Sequence, residues 1–101
     1  MPSLICYDIE DDNLRLKIAN RLLAAGFIRL QKSVFVGDPR EPVLRELTIW
    51  LKKFVPGTGT ANANRALLLT CTQNQLDSAL MLGTPPDDWS EFLNPPNTLI
   101  I

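Results

Sequence analysis

Short apolar runs alternate along the chain with polar segments of helical periodicity. The first run, Leu4 to Tyr7, is apolar at successive positions and is followed by acids, which predicts a central strand covered on both faces. Asp11 or Asp12 then offers a helix N-cap and Gly26 a left-handed C-cap position, so a helix of about 13 residues is predicted between them. The apolar arc predicted for this helix consists of Leu14, Leu16, Ile18, Ala19, Leu22, Leu23 and Ala25.

The next segment, Phe27 to Val36, alternates in polarity as a strand does. One face is predicted to be core, whereas the other is mixed and polar, as in a subunit interface or a ligand groove. The core positions are Ile28, Leu30, Val34 and Val36, and the mixed positions are Phe27, Arg29, Gln31, Ser33 and Phe35. The pattern fits both one bent strand and a tight hairpin around Lys32 and Ser33.

A second helix is predicted after "GDPREP", with Pro42 at an early helical position. Its apolar positions recur every three or four residues and are Val43, Leu47, Trp50, Leu51 and Phe54. The remaining segments predict a loop in "PGTGTANAN", a buried strand in "ALLLTC", a polar turn or helical bend over Thr72 to Ser78, and a final short strand in "ALMLG".

This order of elements indicates an α+β fold, the ferredoxin-like βαββαβ sandwich, in which two helices cover one face of a four-stranded antiparallel sheet. The other sheet face would be bare, which predicts a homodimer. The first and last core strands would be neighbours, so Cys6 and Cys71 are expected to approach each other. Both thiols are expected to be buried and reduced.

The ferredoxin-like domain is predicted over residues 1–83, followed by a C-terminal extension over 84–101. "PDDWSEFL" predicts a short helix in this extension, and "TLII" an edge strand. A tail of this length forms no core of its own, so it is expected to dock on the dimer mate or on another protein. The alternative is a tail folded back onto its own subunit.

Composition narrows the class of protein. The 101 residues form one domain with a net charge of −1, and the acidic tail contrasts with a slightly basic body. The chain has no histidine and no C-x-x-C pair, which excludes a histidine triad and a zinc site built by one chain alone. No apolar run is long enough to span a bilayer and no signal peptide is recognisable, so a soluble, cytoplasmic protein without membrane association is predicted.

Asp8, at the end of the first strand, is the first candidate for chemistry. Helical side chains lean toward the N-terminus, so Arg15 in the first turn of the helix is predicted to reach the end of the first strand, where Asp8 lies. From the residues alone, Asp8 is equally a polar strand end or helix cap with Arg15 as its ion-pair partner. Glu10, Asp11 and Asp12 are interpreted as a solvated turn and helix cap.

The stretch from Tyr7 to Phe35, "YDIEDDNLRLKIANRLLAAGFIRLQKSVF", resembles the CRISPR-associated protein two family, the small nuclease-like partners of the CRISPR spacer-acquisition integrase. The shared features are a strand ending in Tyr-Asp-Ile, an acidic helix start followed by basic residues, a glycine after the helix, and an Arg-x-Gln-x-Ser-Val-Phe strand. The order of elements follows the family as far as Gly83.

The resemblance implies roles for individual residues. Asp8 matches the aspartate that faces its symmetry mate in a two-fold dimer and shares Mg²⁺, or another divalent cation, with it. The positions implicated in the family's nuclease activity are matched by Tyr7, Asp8, Arg15, Arg29 and Phe35. Arg15, Lys17 and Arg29 are the expected nucleic-acid contacts, although Lys17 lacks the planar fork of the arginine found in some relatives. The alternatives are a solvated charge for Lys17, interface hydrogen bonds for Arg29 and Gln31, and packing for Phe35.

The function implied by the resemblance is CRISPR spacer acquisition in the prokaryotic cytoplasm, by a homodimer with a Mg²⁺-dependent endoribonuclease or endonuclease site at Asp8. The alternative is a non-catalytic architectural dimer that bridges subunits of the integrase, CRISPR-associated protein one, and holds pre-spacer DNA by its backbone. A third possibility is a ferredoxin-like toxin ribonuclease. The sequence leaves open whether RNA or DNA is preferred.

Overall fold

The computed structural model describes residues 1–55 and 63–94, which contain four strands and four helices. The elements in chain order are β1 (Ser3–Asp8), α1 (Asp12–Ala24), β2 (Ile28–Gln31), β3 (Val34–Gly37), α2 (Glu41–Lys52), β4 (Arg65–Thr70), α3 (Gln73–Asp77) and α4 (Trp89–Leu93). Most of the predicted "PGTGTANAN" loop and the predicted "TLII" strand lie outside the described residues. Within those ranges, no helix combines the length and the apolar character needed to cross a membrane.

The four strands form one sheet in the order β2-β3-β1-β4, and each neighbouring pair is antiparallel. The predicted α+β, ferredoxin-like fold is confirmed. The choice between a bent strand and a hairpin is also settled, because β2 and β3 pair across a turn at Lys32 and Ser33. An irregularity between Arg29 and Gln31 shifts the register of this hairpin, as a β-bulge does.

Helix α1 begins and ends where the sequence predicts. The Asp11 side chain caps it by accepting a hydrogen bond of 2.7 Å from the backbone N–H of Leu14, and Gly26 follows with a φ of +91°. The apolar arc was predicted too wide, because Leu16 and Leu23 are exposed. These two side chains lie seven residues apart on the same outer flank, while the sheet is contacted by a narrower stripe consisting of Ile18, Ala19 and Leu22.

The main core lies between the sheet and the first two helices. The sheet contributes Ile5, Tyr7 and Phe35 to this core, and Phe27 enters it from the position before β2. The first two helices supply Ile18, Leu22, Leu47 and Leu51. The prediction that Phe27 and Phe35 belong to a mixed interface face is therefore wrong, because their rings fill this core. Gly37 leaves room for one of them, since a Cβ there would lie 2.7 Å from the Phe27 ring.

The opposite sheet face is partly covered by its own chain. A second buried cluster joins Ile28 and Val36 of the sheet to Leu76 of α3 and Trp89 of α4. The expectation of a wholly bare face is therefore wrong for the part of the sheet around Leu4. The helix predicted in "PDDWSEFL" is present, and it packs on its own subunit, as the alternative for the tail proposed. The domain boundary at Gly83 and docking of the 84–101 extension on a partner stay predictions.

Two predictions about the end of the core fold are wrong. β4 is an edge strand and not a buried one, and its Leu67 is 59% exposed. The "ALMLG" segment forms no strand in the described structure, and its Leu80 and Leu82 are 81% and 79% exposed. The physical reason is that α3 turns the chain out of the sheet after β4, and only Met81 of this segment packs against the second cluster.

The two cysteines lie at opposite ends of the β1–β4 pair. Cys6 is opposite Leu67, whereas the backbone N–H of Cys71 donates to the carbonyl of Pro2, beyond the other end of β1. The expected approach of the two cysteines is therefore wrong, because the antiparallel register places them about four residues apart along the strand. Both thiols are free and half-buried.

The packing of α4 on its own sheet predicts a cost for removing its anchor. Because Trp89 is buried against Ile28, Val36 and Leu76, Trp89→Ala should lower the free energy of unfolding by about 3 kcal/mol. Urea denaturation measures this value. Glu91→Ala on the exposed side of the same helix is the matched control and should change it by less than about 0.5 kcal/mol. Equal effects of the two substitutions would contradict the packing.

Candidate functional site

The predicted site residues meet at the end of β1, but on two different faces of the sheet. Tyr7 is buried in the main core, on the sheet face covered by α1 and α2, which we call the helix side. Asp8, the next residue, is exposed and belongs to the opposite face, because successive side chains of a strand point in opposite directions. In β4, Ala66 is the partner of Tyr7 and Arg65 is the partner of Asp8.

On the helix side a crevice of about 200 Å³ opens between the first turn of α1 and the β2–β3 hairpin. We call it the basic crevice, and its lining residues are Tyr7, Asp12, Arg15, Leu16, Arg29 and Lys32. It brings together three of the predicted residues, Tyr7, Arg15 and Arg29. Asp8 and Lys17 do not line it.

Arg15 reaches the end of the first strand, as predicted. Its Nη1 donates a hydrogen bond of 3.0 Å to the carbonyl oxygen of Ile9, and its Nη2 pairs with the carboxylate of Asp12. The predicted ion pair between Arg15 and Asp8 is wrong, since the acid that Arg15 meets is Asp12, three residues earlier in the same helix. The reason is that Asp8 points to the other face of the sheet.

Phe35 packs against two residues that line the basic crevice, Tyr7 and Arg29. Its ring is fully buried, lies 6.0 Å from the Tyr7 ring at an interplanar angle of 15°, and carries the Arg29 guanidinium at 5.0 Å from its centroid. Such cation–π contacts hold a guanidinium in one place. Phe35 therefore positions Tyr7 and Arg29 by packing. Lys17 instead lies over the ring of Phe54, 5.1 Å from its centroid, on another side of α1.

The phenol of Tyr7 is held in its neutral form by its surroundings. Burial raises the pKa of Tyr7, and the nearby guanidinium groups of Arg29 and Arg15 offset only part of this rise because they favour the phenolate. At neutral pH the hydroxyl therefore remains a hydrogen-bond donor.

The opposite sheet face is uncovered around Asp8, and we call it the open face. There Asp8 lines a second depression of about 260 Å³ together with Cys6, Arg65 and Leu67. Its carboxylate makes no ion pair or hydrogen bond with the residues that the structure describes. Nor does any group of three or more metal-binding side chains occur in ranges 1–55 and 63–94. One carboxylate is a poor cation site, but Mg²⁺ commonly binds one or two carboxylates and keeps several waters. The donor set therefore fits Mg²⁺ only when a second copy supplies another Asp8.

The sequence pattern does not predict two of the basic residues near the end of β1. Lys32 was interpreted only as part of a turn, yet it lines the basic crevice. Arg65 was assigned no contact, yet it is the cross-strand neighbour of Asp8, a position where Cβ atoms lie about 5 Å apart. Their positions follow from the register of the β2–β3 hairpin and of the β1–β4 pair. The pattern of polar and apolar residues does not determine these registers.

The raised pKa of Tyr7 predicts the response of the protein to alkali. Tyr7 is the only tyrosine, so the tyrosinate absorbance band reports on this residue alone, and its midpoint in the folded protein should lie above about 10. The unfolded chain loses this proton at a lower pH than the folded protein. The contribution of Tyr7 to the free energy of unfolding is therefore complete below its unfolded pKa of about 10 and is lost as the pH rises through its folded pKa. Arg29→Gln should raise the midpoint further, and a midpoint below the ordinary value would contradict the burial.

Comparison with known proteins identifies the family of the chain. The family described as CRISPR associated protein Cas2 matches residues 1–78. The chain is 36% identical over 83 residues to a CRISPR-associated endoribonuclease Cas2 of Pyrobaculum aerophilum, covering 82% of the chain and 87% of that relative. It is also 31% identical over 83 residues to a CRISPR-associated endonuclease Cas1/endonuclease Cas2 fusion of Thermoproteus tenax. This match covers 82% of the chain and 30% of the fusion. The chain therefore belongs to the CRISPR-associated protein Cas2 family, as the motif from Tyr7 to Phe35 predicts.

Proposed function

We propose that the chain acts in CRISPR spacer acquisition as a homodimer, in which the two Asp8 carboxylates together hold Mg²⁺ or another divalent cation for phosphodiester cleavage. The observation that carries this proposal is the exposed Asp8 carboxylate at the end of β1, which lacks a partner among the described residues. The name endoribonuclease borne by the Pyrobaculum relative supports the activity. The Cas1/Cas2 fusion supports association with the integrase, CRISPR-associated protein one. The proposed location is the prokaryotic cytoplasm.

Exposed leucines support the homodimer. Leu67 and Leu69 lie on the edge strand β4, on the same face as Asp8, and both are more than half exposed. Apolar side chains grouped on one face beside a sheet edge are typical of a surface that another chain covers. A two-fold dimer that covers this face, with its axis beside Asp8, would bring the two Asp8 carboxylates together.

The chemistry follows from the two carboxylates. Two Asp8 groups close to a two-fold axis repel each other, and a hard divalent cation removes that repulsion. When bound, such a cation supplies an activated water for attack on phosphorus. Asp8 would hold the cation. The chain has no histidine that could act as a general base instead of the metal-bound water.

A second candidate function, an architectural dimer that holds pre-spacer DNA without cutting it, is favoured by one specific observation. The Arg15 and Arg29 guanidinium groups line a crevice on the helix side of the sheet, whereas Asp8 lies on the opposite face. Within one chain, these arginines and Asp8 do not face the same phosphate. In this second function they hold the nucleic-acid backbone, and Asp8 is dispensable for acquisition. The Cas2 family membership leaves the toxin ribonuclease without a supporting observation.

Replacing the Asp8 carboxylate separates the two functions. Asp8→Asn keeps the shape of the side chain but removes the charge, so Mg²⁺-dependent cleavage of RNA and DNA should fall by at least about 100-fold. Glu46→Gln, an exposed acid of α2, is the matched control and should cleave normally. Cleavage that survives Asp8→Asn contradicts the metal site. Integration of pre-spacer DNA by the cognate integrase, measured on the same variants, shows whether acquisition needs cleavage.

The dimer interface can be tested through Leu67. Leu67→Glu places a charge on the face that the second copy is proposed to cover, and it should shift the protein from dimer to monomer in sedimentation velocity. Ile49→Glu, on the equally exposed outer surface of α2, is the matched control and should leave the dimer intact. Dimers that persist in the Leu67→Glu protein would contradict the use of this face.

A further inference from the structure

We propose that the basic crevice binds the terminal phosphate of a nucleic-acid strand, independently of Asp8 and of divalent metal. The inference rests on the proposed function for the source of the phosphate, a nucleic-acid strand. It goes beyond that function by assigning a second site with a different ligand chemistry, a phosphomonoester.

The charge of the crevice matches a dianion. Arg15, Arg29 and Lys32 supply three positive charges, and Asp12 is the one acid among the lining residues. Asp12 already pairs with Arg15, so two cations are left without a carboxylate partner in the crevice. A phosphomonoester carries nearly two negative charges at neutral pH, whereas each internal phosphodiester carries one. The crevice therefore favours a strand end over an internal phosphate.

The donors of the crevice are fixed before any ligand arrives. Arg15 is held by the carbonyl of Ile9 and by Asp12, and Arg29 is held against the ring of Phe35. Guanidinium groups fixed in this way lose little further conformational freedom on binding phosphate and can donate two hydrogen bonds each. The side chain of Tyr7 also lines the crevice, between these two arginines.

The crevice has room for a phosphate and an apolar residue beside it. It is a concave space of about 200 Å³ that opens to solvent. Leu16 lines it and is 61% exposed, although it belongs to a helix flank where burial was predicted. An apolar side chain at this position offers a surface for the first sugar or base of the strand.

The site is separate from the proposed metal site. Asp8 and the depression around it lie on the opposite face of the sheet and share only Tyr7 with the lining of the basic crevice. Phosphate binding in the crevice therefore needs no cation, and the two sites can fail separately in experiments.

The test compares a 5′-phosphorylated and a 5′-hydroxyl single strand of the same sequence, bound to the full chain in the presence of EDTA. Fluorescence anisotropy should show about tenfold tighter binding of the phosphorylated strand, because the extra charge-assisted hydrogen bonds form only with it. Lys32→Ala should reduce this preference to less than about twofold. Lys32 lies in an exposed turn, so the variant should keep the circular dichroism spectrum of the native fold.

Lys52→Ala is the matched control, because it removes one positive charge from α2, outside the crevice, and should keep the tenfold preference. Asp8→Asn should keep it as well, even where cleavage is lost, so failure of the metal site and failure of this inference are distinguishable. Competition by AMP stronger than by inorganic phosphate supports a nucleotide end. Equal binding of the two strands by the wild-type protein, or equal loss of preference in Lys32→Ala and Lys52→Ala, overturns the inference.

Discussion

The alternation of side chains along β1 is the constraint on which the rest of the structure depends. β1 is hydrogen-bonded to β3 on one side and to β4 on the other, so its register is fixed twice. Ile5 and Tyr7 consequently enter the main core, and Asp8 belongs to the open face. A slip of one residue would bury the Asp8 carboxylate and expose the Tyr7 ring. Both changes would lower the free energy of unfolding.

This alternation also gives the end of β1 two different chemical environments. On the helix side, buried aromatic rings support guanidinium groups that face a concave surface. On the open face, a carboxylate lies beside Arg65 and exposed leucines, where a second copy can approach. The first environment is the proposed phosphate site, and the second carries the carboxylate that is proposed to share a cation between chains. The arginines and the proposed metal site therefore lie at one strand end but on opposite faces of the sheet.

Local features of the fold could be predicted from the sequence because they depend on neighbouring residues. The capping of α1 by Asp11, its end before Gly26, and the start of α2 near Pro42 are examples. The edge position of β4 and the missing strand at "ALMLG" could not be predicted, since they depend on which segments the chain brings together after α3. An apolar run such as "ALLLTC" has the same pattern whether its exposed side awaits another chain or lies within a core.

The candidate site shows the same division. The motif around Asp8 predicts a site at the end of β1, and helix geometry predicts that Arg15 reaches this strand end, where it donates to the carbonyl of Ile9. The partner of Arg15 did not follow, because the choice between Asp8 and Asp12 depends on which face of the sheet each acid occupies. Phe35 had been linked to the site by the family motif, and the structure gives it a physical role beneath Arg29. Lys32 and Arg65 became visible only through strand register.

The measurement that tests the division of the site most directly is anomalous scattering from crystals of the protein soaked in Mn²⁺, a divalent cation that accepts the same oxygen ligands as Mg²⁺. The account predicts an anomalous peak between the Asp8 carboxylates of two copies related by a two-fold axis, with no peak beside Asp12 in the basic crevice. A peak at Asp12, or a metal bound by one copy without Asp8, would contradict it.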